Sequence, residues 1–375
     1  MRRRLLIFVS IIQSIIFLAH LFVYLTWRSF WGGPASSLWL KVLVGLLSIS
    51  FVLASLRARY SFSVLTRIWY TLSAVWLGLG SFCLWAAVLC WTVYAFSIVF
   101  RLGWTPAHIA DLIFGAAMLA ALYGLMNANV FRVTRISVAL ANLPEQWRGR
   151  TAVLISDLHL GHVRNVSFLR RLVSRLSALQ PNAVLIAGDL YDGTAVDFEL
   201  LAQPWREWLA ATHIPSGPFF GAYYITGNHE EFFGETEYLG PLRRAGVRLL
   251  DNNKVELDGL QLAGVHYRDA TSPERYRSVL RGISLDRRCA SVLLLHAPVR
   301  LAVAEEEGVS LQLSGHTHGG QFFPWTLFGK RVWGKLNHGL HSIGNLQIYI
   351  SYGAGTWGPP IRLGTRPEIV VIRFE

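Results

Sequence analysis

AVLISDLHLG, residues 152–161, is a short apolar run that breaks into a turn carrying Asp157 and His159. The same pattern recurs four more times in the second half of the chain. GDLYDG at 188–193 carries Asp189 and Asp192, and GNHE at 227–230 carries Asn228 and His229. LLLHAP at 293–298 carries His296, and GHTHGG at 315–320 carries His316 and His318. Each follows a strand-like apolar run. In an open α/β sheet the loops at the carboxyl ends of the strands meet in one crevice. Five loops carrying Asp, His, Asn and His are therefore expected to converge on a single site.

The donor types define the chemistry. Mixed imidazole and carboxylate ligands suit Mn²⁺, Fe or Zn²⁺, with Mg²⁺ possible, although Mg²⁺ or Ca²⁺ alone would prefer oxygens. A carboxylate has two oxygens and can bridge two cations. Two cations about 3.5–4 Å apart clamp a phosphoryl group and lower the pKa of a bridging water. Phosphoester hydrolysis needs both effects, because the substrate is an anion that repels hydroxide and the leaving oxygen gathers charge.

The five blocks, all present and in order, resemble the calcineurin-like metallophosphoesterases over residues 151–375. The resemblance implies an α/β domain built as a two-sheet sandwich flanked by helices. It implies one divalent metal held by Asp157, His159, Asp189 and His318, and a second held by Asp189, Asn228, His296 and His316. His229 would act on the substrate, either contacting the phosphoryl oxygens or protonating the leaving group, with Asp192 orienting it. The implied reaction is hydrolysis by a metal-bridging hydroxide. Neither His229 nor Asp192 is needed merely to hold metal, so their presence argues for an active enzyme. GHTHGGQFFP at 315–324 and YGAGTWGPPIRLGTRPEI at 352–369 resemble a membrane-attached branch. That branch comprises bacterial phosphodiesterases and enzymes acting on UDP-diacylglucosamine. The stretch His266, Tyr267, Arg268, Asp269 departs from it, where relatives often carry acidic residues. His162 and His266 are secondary candidates for contact with substrate.

The first half is of another kind. Only 15% of the residues are charged and the mean hydropathy is +0.37, too apolar for an ordinary soluble protein. The excess lies before about residue 131. Stretches 5–25 and 69–100 carry no Asp, Glu, Lys or Arg, 38–56 has only Lys41, and 109–130 has only Asp111. A span needs about 20 apolar residues, so four transmembrane helices are expected, the first an uncleaved span and the third a single long one. Arg2, Arg3, Arg4, Arg57, Arg59, Arg67, Arg132 and Arg135 place the N-terminus, the second loop and the catalytic domain on the cytoplasmic side by the positive-inside rule. With the resemblance, this points to a bacterial inner membrane. The three cysteines form no disulfide framework. The net charge of +12 suits an anionic leaflet. No nucleic-acid-binding pattern accompanies it.

The expected organisation is a transmembrane region at 1–131, a linker at 132–150 and the phosphoesterase domain at 151–375. Residues 254–257 and 260–265 flank Asp258-Gly259, a two-residue hairpin signal. The aromatic and basic stretch 322–335, directly after GHTHGGQ, reads either as a loop packed on the core or as a membrane-facing lip. The expected function is a membrane-anchored, dinuclear phosphoesterase cleaving a phosphodiester or pyrophosphate bond in a phospholipid or other lipid-linked substrate. Competing readings are a tethered phosphodiesterase or phosphatase for soluble substrates, and a membrane sensor or transporter with a metal-binding domain. Ionisable groups inside the spans are too sparse to favour transport.

Overall fold

The structure, a computed structural model, describes residues 2–32, 38–214, 217–232 and 235–375. The chain divides into two compact units, one of Met1–Met126 with Gly358–Leu363, the other of Asn127–Trp357 with Gly364–Glu375.

The first unit consists of long apolar helices, α1 (Arg2–Trp31), α2 (Leu38–Ala58), α3 (Val64–Val99) and α4 (Pro106–Asn127). Among the described residues, these four are long and apolar enough to cross a membrane. The third is one unbroken helix of 36 residues, as its uncharged stretch predicts. Large apolar side chains such as Leu72 and Leu119 are exposed, as suits a hydrocarbon surround. Several polar side chains bond between helices. Gln13 Nε2 donates to Ser48 O at 3.0 Å, Trp76 Nε1 to His20 Nε2 at 2.8 Å and Trp91 Nε1 to Thr26 Oγ1 at 2.9 Å. Asp111 accepts from Trp31 Nε1 at 2.7 Å. Such pairing is required where no water can substitute.

The second unit is a sandwich of two six-stranded sheets. One runs β1 (Arg132–Val138), β12 (Glu368–Phe374), β2 (Thr151–Ile155), β3 (Ala183–Ala187), β4 (Ala222–Ile225), β5 (Val247–Leu249). The other runs β10 (Gly339–Ile343), β11 (Leu346–Ile350), β9 (Leu311–Ser314), β8 (Ser291–Leu294), β7 (Leu260–Gly264), β6 (Asn253–Leu257). Strands β2 to β5 are mutually parallel, as are β7, β8 and β9. Strands β2, β3 and β4 read as continuous apolar runs because both faces are covered. Along β2 the period-two alternation sends Ala152 and Leu154 into the cluster shared by both sheets, with Leu185, Leu294 and Leu313. Val153 and Ile155 join the outer cluster. There they meet Phe168, Leu172 and Leu176 of α5 (Val166–Leu179), Trp205 of α6 (Phe198–Ala211) and Tyr238 of α7 (Glu235–Arg244). The side chains of Asn165 and Asp197 cap α5 and α6. On the far side, Tyr276 and Leu280 of α8 (Pro273–Ile283) and Val303 of α9 (Leu301–Glu306) pack with Leu293 and Leu295.

Two expectations need correction. Residues 132–150 are not a linker throughout, because β1 lies there and pairs in parallel with β12 along seven positions, from Arg132 opposite Glu368 to Val138 opposite Phe374. The strand is half-exposed at the edge of its sheet, so Arg132, Thr134 and Arg135 dilute the apolar signal. The stretch after GHTHGGQ is not a loop but a helix, here α10 (Trp325–Trp333). The expected hairpin forms, with β6 and β7 antiparallel and both Asp258 and Gly259 at positive φ.

Candidate metal centre

The five loops leave the carboxyl ends of β2, β3, β4, β8 and β9 and meet. Asp157, His159, Asp189, His316 and His318 all sit at positive φ, between 48° and 73°. A non-glycine residue there costs on the order of 1–3 kcal/mol and persists only where its surroundings enforce it. The enforcement is visible. Asp157 accepts the His316 main-chain N–H at 3.0 and 3.2 Å, and Asp189 Oδ1 accepts that of His229 at 3.0 Å. A Cβ on Gly227 would collide with the Asp189 carboxylate, and one on Gly315 with that of Asp157.

The side chains fall into overlapping groups able to hold a metal ion: Asp157, His159 and His318; His159, Asp189 and His229; Asp189, His296 and His316. His159 Nε2 lies 3.1 Å from His318 Nε2, which is 3.4 Å from Asp157 Oδ1. Asn228 Oδ1 lies 2.9 Å from His316 Nδ1 and 3.2 Å from His296 Nε2. Asp189 Oδ2 joins the two sides, 3.2 Å from His296 Nε2 and 3.8 Å from His159 Nε2. Ligands bonded at about 2.0–2.2 Å and near right angles stand about 3 Å apart, so the donor set fits divalent cations. His296 is keyed by a further contact. Its Nδ1 donates to Ala187 O at 2.8 Å, which presents Nε2 to the site, the usual outer support of a metal-binding imidazole.

His229 and Asp192 meet differently from expectation. His229 Nδ1 donates to the main-chain carbonyl of Asp192 at 3.0 Å, while the Asp192 carboxylate lies 3.8 Å from His159 Nδ1. His162 is buried beside the first loop. His266 stands 3.7 Å from Glu231 and 3.9 Å from Asp251, outside the ligand groups.

Comparison with known proteins settles the lineage. Residues 151–320 match the model of the family described as calcineurin-like phosphoesterase. The chain is 28% identical to an uncharacterized metallophosphoesterase of Campylobacter jejuni, covering 83% of each. It is 30% identical to an uncharacterized metallophosphoesterase of Aquifex aeolicus, over 69% of this chain and 97% of that one. The chain belongs to the calcineurin-like metallophosphoesterases. It is also 31% identical to a Danio rerio transmembrane protein with a metallophosphoesterase domain, over 67% of this chain but only 59% of that longer protein. This metallophosphoesterase is therefore a metal-dependent hydrolase of phosphoesters, and a membrane protein.

Glu230 carries no role that residue spacing assigns, yet it braces the centre of the metallophosphoesterase. Its buried carboxylate accepts the main-chain N–H groups of Asp189 at 3.1 Å, Tyr191 at 2.9 Å and Gly227 at 2.7 Å. One side chain thus ties the β3 loop to the β4 loop. Three rings also frame the site: Tyr267 lies 6.1 Å from the His316 ring, Trp333 stands edge-on to it at 5.6 Å, and Trp357 lies 5.8 Å from the His229 ring. Beside His316 opens a cavity of about 440 Å³, lined by Tyr267, Val299, Trp333 and Arg300 among others. None of these rings stands in a ligand block, so only the fold could bring them here.

The buried charges act on one another at close range. Burial pushes the Asp157 carboxyl up to about 6 and that of Glu230 up to about 7. Burial would raise Asp189 as well, but His296 and His159 beside it hold it below the ordinary carboxylate range. Burial would lower His296, but the Asp189 and Asp157 carboxylates override it and push the imidazole up to about 10. Burial and the neighbouring His296 hold His316 down at about 4. At neutral pH the metal-free protein therefore carries a proton on His296, and a cation must displace it. Metal affinity is expected to rise with pH, by up to about tenfold per unit, until His296 is neutral near its raised pKa. Calorimetry of Zn²⁺ binding near neutral pH, in two buffers of different ionisation heat, should show proton release. Identical apparent heats in both buffers would contradict this assignment.

Proposed function

We propose that this protein is a membrane-anchored, dinuclear phosphoesterase that cleaves a phosphodiester or pyrophosphate bond in a lipid-linked substrate on the cytoplasmic face of a bacterial inner membrane. The observation that carries the dinuclear reading is Asp189, whose carboxylate faces His159 on one side and His296 on the other. One ion would be held by Asp157, His159, Asp189 and His318, the other by Asp189, Asn228, His296 and His316. When bound, two such ions neutralise phosphoryl oxygens and lower the pKa of water, supplying the nucleophile. Mn²⁺, Fe and Zn²⁺ suit this donor set best.

The chain's own residues supply the rest. A carbonyl only accepts, so His229 Nδ1 carries a hydrogen committed to Asp192 O. The proton His229 can deliver is therefore the one on Nε2, to the leaving oxygen. Asp192 acts as a positioning residue through its main chain. The cavity beside His316 would take the group beyond the scissile bond, with Tyr267 and Trp333 as apolar walls and Arg300 available to an anion.

The lipid-linked reading is supported by the four apolar helices, which confine the enzyme beside such molecules. Its test compares two substrates with the detergent-purified protein and Mn²⁺: bis(p-nitrophenyl) phosphate, and a lipid pyrophosphate in mixed micelles. Hydrolysis of both, with higher kcat/KM for the lipid, is expected. Turnover confined to soluble esters and nucleotides would leave a phosphoesterase that is merely tethered.

A further inference from the structure

The outer face of α10 has the wrong polarity for water. Its inner face is small, with Thr326 and Gly329 buried, and Phe322 just before the helix is buried as well. A helix packed this way in a soluble domain presents polar residues outward. Here the exposed positions include Trp325 at 44%, Leu327 at 58%, Phe328 at 65% and Val332 at 56%, with Phe323 at 49% just before the helix. At 3.6 residues per turn, Trp325, Phe328 and Val332 fall along one ridge of the helix, and Leu327 lies beyond Arg331 on the exposed surface. Lys330, Arg331 and Lys335 stand in the same stretch and are exposed. From Gln321 to Leu346 there is no acidic residue.

The helix abuts the catalytic centre. Its last residue, Trp333, stands edge-on to His316. Its root, Gln321, exchanges hydrogen bonds with Trp357, donating to Trp357 O at 3.1 Å and accepting from Trp357 N at 2.8 Å. Trp357 is itself 58% exposed and packs against His229. The stretch is thus tied at both ends to the rim of the site.

We infer that α10 is an interfacial docking helix that immerses Trp325, Leu327 and Phe328 in the headgroup region of an anionic phospholipid bilayer. Three features favour that occupant over another protein. The basic residues match anionic headgroups, where each cation near the surface adds to attraction. Aromatic and aliphatic side chains interleaved with Lys and Arg are the composition of helices that lie in the interface plane. The same chain carries four helices able to span a membrane, so a bilayer is always at hand. A docked α10 would hold the mouth of the centre at headgroup depth, where the phosphorus atoms of lipid substrates lie. The inference rests on the lipid-linked reading for its purpose, but its test reads immersion rather than turnover, so either can fail alone.

The test uses the full-length protein in nanodiscs, with Cys83, Cys90 and Cys289 replaced by Ser. A nitroxide is attached at Phe328→Cys, and in a second protein at Leu327→Cys in case the first does not fold. A third label at Glu274→Cys, exposed on α8, is the aqueous control. In discs containing phosphatidylglycerol, the ratio of collisions with oxygen to collisions with a water-soluble nickel chelate should be severalfold higher at 327 and 328 than at 274. Lys330→Glu with Arg331→Glu should lower that ratio severalfold. Ratios at 327 and 328 equal to the control would overturn the proposal. Spin–spin broadening between labels on two chains would assign the ridge to a second copy instead. Immersion that ignores lipid charge would overturn the choice of an anionic surface.

Discussion

Asp189→Asn is expected to lower phosphodiester hydrolysis by more than about 10³-fold and to reduce bound metal from two ions per chain to one or none. The substitution keeps the side-chain shape, and the amide oxygen can still accept the His229 N–H that Asp189 Oδ1 accepts now. What it removes is the negative charge facing both His159 and His296. Loss of an outer-shell partner alone typically costs about 10–100-fold, and a carboxylate serving two ions should cost more. The charge also compensates His296 in the metal-free protein, so its removal should abolish the proton release expected on metal binding. Metal analysis of the purified variant beside its kcat/KM decides the matter. Two ions retained with near-parental activity would defeat the shared-ligand assignment.

His229→Ala is expected to separate chemistry from metal binding. General acid catalysis contributes about 10²–10⁴-fold, and the loss should fall within that range while metal content stays at the parental level. His229 lies in a group with His159 and Asp189 but outside the two proposed four-ligand sets. The defect should be smaller with a p-nitrophenyl leaving group than with an alkyl one, because a good leaving group needs little protonation. A defect independent of the leaving group would assign His229 to contact with the phosphoryl oxygens. Loss of metal together with activity would make it a ligand and refute its role as the acid.

Much of this candidate site was legible because its proposed ligands follow buried parallel strands, several of which announce themselves as apolar runs. Ala152 to Ile155 and Val184 to Ala187 are buried throughout, and the residue type changes abruptly where each run ends. The spans were legible for the same reason, through long stretches without charge. Edge strand β1 was not, because half its residues face solvent. Helix α10 begins at an aromatic residue after Pro324, with no side-chain cap to mark it. The sequence also could not show that Asp192 reaches His229 through its carbonyl rather than its carboxylate. That choice depends on how Gly193 turns the chain at φ 83°. Glu230 stood within a quoted motif, but a glutamate that accepts three backbone N–H groups leaves no trace in residue spacing. The rings of Tyr267, Trp333 and Trp357 come from three separate segments, and only the tertiary fold gathers them.

The division of the ligands between the two sheets bears on how the protein matures. Of the proposed ligands, the loops of the first sheet carry Asp157, His159, Asp189 and Asn228, and those of the second carry His296, His316 and His318. His159 and His318 stand 159 residues apart in the chain, so the early half of the site is synthesised long before the late half. Closing so long a loop is entropically slow, and neither half has a full ligand set until the sheets dock. Metal capture should therefore be a late event in biogenesis. Ions held by these residues would act as rivets between the two sheets and stabilise the folded state by mass action. Cells starved of the metal would then be expected to hold less of the protein, and not merely a less active form of it.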